Sequence, residues 1–69
     1  MILDWKHPNG YLGIFETIYK DHHLRIHPVG SSEWDGFIDE ELVYGTDDLE
    51  SVEIALINMV DRTELAGLT

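Results

Sequence analysis

Residues 34–44 read Trp-Asp-Gly-Phe-Ile-Asp-Glu-Glu-Leu-Val-Tyr, and the number of strands in the chain turns on them. Trp34, Ile38, Leu42 and Tyr44 hold even positions, with Glu40 the exception. Asp35, Asp39 and Glu41 hold odd positions, with Phe37 and Val43 the exceptions. Alternation with period two marks a half-buried strand. The pattern predicts one long strand, bulged near Gly36 or Glu40. A break at Asp39-Glu40 into two short strands is the alternative.

Upstream, Tyr11 to Lys20 reads YLGIFETIYK, rich in the aromatic and β-branched residues that favour strands. Tyr11, Phe15, Thr17 and Tyr19 share one parity, and Leu12, Ile14, Glu16 and Ile18 the other. Both faces carry apolar residues, so this strand is expected to be central or covered on both sides. Asp21-His22 is expected to form a tight turn. From His23 to Val29, Leu24 and Ile26 alternate with His23, Arg25 and His27, as in a half-buried strand. Pro28 implies an edge or a strand end. Gly30-Ser31-Ser32 reads as a loop, and His7-Pro8-Asn9-Gly10 as a turn. Residues 2–5 are read as a short strand or an apolar arm.

Downstream, Gly45 ends the sheet region. Asp47 is the expected N-cap, with Glu50 three residues on as in a capping box and Thr46 as the rival cap. The helix is predicted from Asp48 to about Thr63, with Gly67 past its end. Leu49, Val52, Leu56, Met59 and Val60 form its apolar stripe, with Ala55 at the margin. Ile54 and Ile57 point away from that stripe, among Glu50, Glu53, Asp61 and Glu64. Together these readings predict an α+β domain spanning residues 1–69. It is a three-stranded antiparallel sheet packed against one C-terminal helix, in the order β-β-β-α.

The 69 residues carry 4 Lys and Arg against 14 Asp and Glu, a formal charge of −10, and no cysteine. Disulfides and thiolate metal sites are therefore excluded. Residues 1–30 sum to zero, because Asp4, Glu16 and Asp21 balance Lys6, Lys20 and Arg25. Residues 31–69 carry the whole −10, with Arg62 their only base. Direct contact with a phosphate backbone is disfavoured by this balance. The opening residues lack a basic, long-apolar signal pattern, and no apolar run approaches the ~20 residues of a membrane span. The expected compartment is the cytoplasm, of a bacterium or of an infected host cell.

Catalytic chemistry finds little support. Glu40-Glu41 are strand neighbours and face opposite sides, so they make no dyad. Asp47-Asp48 are explained by capping. His23 and His27 share a strand face but lie about 13 Å apart along it. His27 is expected near Glu16 across the hairpin. No catalytic residue, cofactor or metal ligand is assigned, and the chain is read as a non-enzyme.

The acids suggest the function instead. Between Glu33 and Glu53 lie nine acids and no base. Duplex DNA carries one charge per ~1.7 Å, so these acids match the charge on about 15 Å of duplex. Asp39 and Glu41 are expected to repeat along one sheet face, and Asp47, Asp48, Glu50 and Glu53 to cluster at the helix start. The expected role is a small acidic interaction protein that binds the basic surface of a nucleic-acid-binding protein or nuclease complex by charge mimicry. A phage-type inhibitor of a host or defence protein is its concrete form. The contact residues would be Asp35, Asp39, Glu41, Asp47, Asp48, Glu50, Glu53, Ile54, Ile57 and Asp61. The alternative is an obligate homodimer or a subunit of a larger complex. It would pair through the seam Glu50, Ile54, Ile57, Asp61, whose spacing suits helix–helix contact. A competing reading of the two isoleucines has an N-terminal arm of Ile2, Leu3 and Trp5 covering them.

Overall fold

The computed structural model describes residues 2–10 and 13–67. Strands β1 (Phe15–Tyr19), β2 (His22–Val29), β3 (Glu33–Ile38) and β4 (Glu41–Thr46) precede helix α1 (Leu49–Gly67). The strands form one antiparallel sheet in the order β1-β2-β3-β4. The α+β class and the C-terminal helix are as predicted, but the sheet has four strands rather than three.

The extra strand comes from the break at Asp39-Glu40. Both residues have positive φ, 50° and 71°, and Ile38 pairs with Glu41. This is the backbone of a two-residue hairpin turn, whose twist matches that of the flanking strands. Lys20 and Asp21, at φ 49° and 66°, make the same turn between β1 and β2, one residue earlier than the expected Asp21-His22. Neither turn contains glycine. Asp39 compensates locally: its N–H donates to the His23 carbonyl at 2.8 Å, and its carboxylate accepts from the His23 N–H at 2.9 Å.

A two-residue turn inverts side-chain parity, because residues i and i+3 face each other. Leu42 therefore pairs with Phe37 on the face away from the helix and is 56% exposed. The alternation across residues 34–44 instead predicts Leu42 on the same face as Ile38. A bulge beside the Gly36/Phe37 register shift admits Val43 as an extra residue. Val43 packs against the core, so it takes the place predicted for Leu42.

β1 is shorter than residues 11–20 and lies at a sheet edge rather than the centre. Tyr11 and Leu12 lie outside the described residues. The outer side of β1 is covered by the N-terminal arm, where Lys6 and Glu16 exchange two backbone hydrogen bonds of 2.8 and 2.9 Å.

The helix starts one residue later than predicted and runs past Thr63 to Gly67. Its N-cap is Asp48, not Asp47. The Asp48 carbonyl accepts the Val52 N–H, and its carboxylate accepts the Ser51 hydroxyl at 2.6 Å. Leu24 and Ile26 from β2 meet Val52, Leu56 and Val60 from α1 in the buried core. Met59 is only half-buried, at the margin of that stripe. Gly36 lets the helix approach β3 closely: a Cβ there would lie 2.8 Å from Val52 Cγ1 and 3.0 Å from Leu56 Cδ2.

Candidate interaction surface

The structure sorts the acids predicted as contact residues into two groups. The first is committed to the fold. Glu53 is the clearest case: it is 1% exposed, not part of a surface cluster. Its position, four residues after Leu49 and three before Leu56, places it within the apolar stripe of the helix. The N-terminal arm supplies its donors. Ile2 N–H lies 2.8 and 2.9 Å from the two carboxylate oxygens, Leu3 N–H donates at 2.8 Å and Trp5 Nε1–H at 2.6 Å. Burial pushes the carboxyl pKa up, but these donors outweigh it and hold the pKa below its ordinary value.

Asp61 is also engaged. It accepts the Tyr19 hydroxyl at 2.9 Å and Lys20 Nζ at 2.7 Å, and its pKa is lowered chiefly by Lys20. Asp39 sits in a turn against His22 Nδ1 at 2.8 Å, while His22 Nε2 faces Glu64 at 3.5 Å. The hydrogen bond with Asp39 raises the His22 pKa and lowers that of Asp39. These contacts tie both two-residue turns to the later part of the helix. Because Asp39 lies in the turn, it does not repeat along a sheet face with Glu41.

The second group remains on the surface. Glu41, Asp47, Asp48 and Glu50 are exposed, as are Glu33 and Glu40. Asp35 is half-buried on the outer sheet face, where its Oδ1 lies over Gly45, 2.8 Å from where a Cβ at that position would sit. Among the described residues, none of these carboxylates has a cationic partner within ion-pair distance. By contrast, Lys6 pairs with Asp4, Lys20 with Asp61 and Arg25 with Glu16. The residual negative charge thus lies on the β3–β4 hairpin and the helix start.

The predicted isoleucine seam is divided. Ile54 is 47% exposed and lines a groove of about 320 Å³ with Tyr44, Ala55, Met59 and Arg62. Ile57 is half-buried, one helical turn beyond the arm's anchor at Glu53. Asp61, at the end of the seam, is bound to β1 and its turn.

The outer sheet face holds a cluster that sequence reasoning missed. Glu16 accepts Arg25 Nη2 at 2.9 Å and lies 3.2 Å from His23 Nε2. It was His27 that had been expected beside Glu16; that ring instead packs edge-on against Phe37, with centroids 5.2 Å apart. The register explains the exchange, since Glu16 pairs directly with Arg25 and His27 with Asp35. Arg25 lowers the Glu16 pKa, against the opposing effect of burial. His23, Arg25, His27, Phe37 and Glu40 line a depression of about 190 Å³ there. Among the described residues, no group of three or more His, Asp or Glu side chains is arranged to hold a metal ion.

No protein-family model, curated protein or solved structure matches the chain. Among the described residues, no helix is long and apolar enough to cross a membrane.

Proposed function

We propose that the chain is a non-enzymatic interaction protein whose acidic β3–β4 hairpin and helix start bind the basic surface of a nucleic-acid-binding protein and block it. The observation that carries this reading is the segregation of charge. Lys6, Lys20 and Arg25 are neutralised by local ion pairs, whereas Glu33, Glu40, Glu41, Asp47 and Glu50 stand exposed without cationic partners among the described residues. Clustered charge of one sign steers an oppositely charged partner and sets specificity. A phage-type inhibitor acting in the cytoplasm on a host or defence complex is the concrete form of the proposal.

The test is capture of partners on the immobilised chain at low and high salt, with duplex DNA as competitor. Partners should bind at low salt, leave at high salt and be displaced by DNA. Reversing Glu41, Asp47 and Glu50 to Lys should abolish capture while circular dichroism stays native. Capture that survives both salt and charge reversal would overturn the reading.

The exposure of Ile54 beside Tyr44, at 47% and 38%, favours a second reading, a homodimer or subunit interface. It requires salt-resistant self-association, measured by sedimentation equilibrium, that Ile54→Glu abolishes.

A further inference from the structure

The last strand of the sheet is open. Among the described residues β4 pairs only with β3, so alternate backbone N–H and C=O groups on its other side have no strand to bond there. Natural edge strands are commonly protected by lysine, proline or a covering segment. Residues 41–46 contain neither lysine nor proline. The bulge at Val43 twists the strand, yet Tyr44, Gly45 and Thr46 keep regular register with Gly36, Asp35 and Trp34. An added strand would direct alternate side chains to the sheet's two faces. One set would meet exposed Leu42 on the outer face, and the other the groove of Tyr44, Ile54 and Met59, with Arg62 of the helix also lining it.

Charge selects the occupant. Glu40 and Glu41 stand at one end of the strand, and Asp47 and Asp48 just beyond the other. A second copy in antiparallel pairing would bring acids against acids at both ends, which is destabilising. A strand bearing Lys or Arg would meet opposite charge at both.

We propose that the free edge of β4 takes up a basic, extended segment of a partner protein by strand addition, main-chain hydrogen bonds supplying affinity and the flanking acids specificity. This rests on the acidic-interaction reading and specifies its geometry.

The probe is a short peptide alternating valine and lysine, titrated into isotopically labelled chain and followed through backbone amide signals. Its comparator has the same sequence with N-methyl groups on consecutive central residues. That change keeps the charge and removes donors from both sides of the peptide strand. The unmodified peptide should shift the amides of Glu41–Thr46, and the methylated one should bind about tenfold more weakly or worse. Equal, salt-sensitive binding of both peptides would overturn strand addition while leaving the acidic-surface reading intact. Absence of binding by either would also overturn it, and the charge-reversal experiment then judges the broader reading separately. If the β4 amides respond instead to the chain's own concentration and the peptide does not compete, a second copy occupies the edge and the proposal fails.

Discussion

The two edges of the sheet are treated in opposite ways. At β1 the arm is bonded through Lys6 to Glu16, and its start is held by Glu53 from the helix. Bases on that side are consumed by nearby acids. At β4 no segment covers the backbone among the described residues, apolar Leu42 and Tyr44 are exposed, and the neighbouring acids are unneutralised. The same short chain thus closes one edge with a buried carboxylate and leaves the other guarded only by charge. The lesson is that an acidic residue's role here depends on which donors reach it, not on its place in an acidic run.

The largest expected effect removes the floor shared by both edges. Leu56→Ala should cost about 2–5 kcal/mol, because it empties fully buried volume beneath β2 and β3. Chemical denaturation should show both edges losing protection together; loss at one edge alone would break the idea of a common core.

Next, Glu53→Gln should cost about 1–3 kcal/mol, since the amide cannot accept from all the arm's donors. Hydrogen exchange should speed up at Lys6 and Glu16 and leave β4 unchanged. Acid should act in the same direction. The folded pKa of Glu53 lies below its ordinary value near 4.5, so its stabilisation is complete above that pH and is lost as pH falls through the folded value. Arm release measured by Trp5 fluorescence should follow that titration in the wild type and be absent in Glu53→Gln.

A smaller, opposite effect is expected at the turn leading to β4. Glu40 has φ 71°, a conformation that costs a non-glycine residue about 1 kcal/mol. Glu40→Gly should therefore stabilise the hairpin by about 1 kcal/mol, raising the melting temperature by about 4–8 °C.

The smallest effect lies between the turns. His22 has a raised pKa, so its contribution is full below its ordinary value of 6.5 and fades as pH rises through the folded value. Asp39→Asn should bring the His22 titration, followed by NMR, back toward 6.5. An unchanged midpoint would show that Asp39 does not hold the imidazole.

Much of this contrast was legible before folding and some of it was not. β2 and the helix were readable because Leu24 and Ile26 alternate, and Val52, Leu56 and Val60 recur, with the periods of their elements. The β3–β4 turn was obscured because Asp39-Glu40 lacks glycine, so an inverted-parity hairpin resembled one bulged strand. That error also misplaced Leu42. Glu53 looked like surface by its chemistry although its helical phase was that of the core; its donors come from residues 2–5, far away in sequence. The acidic hairpin was visible as composition, but the open edge beside it required the strand order.

The clasp on Glu53 also has a temporal side. Residues 2–6 leave the ribosome well before Glu53, so the β1–β2 hairpin can form while its guard has nothing to hold. The Lys6–Glu16 bridge is local in sequence, but anchoring of the arm's start must await the helix. A contact joining positions about fifty residues apart is entropically slow to close. The arm is therefore made well before its anchor and is fully secured only once the helix presents Glu53.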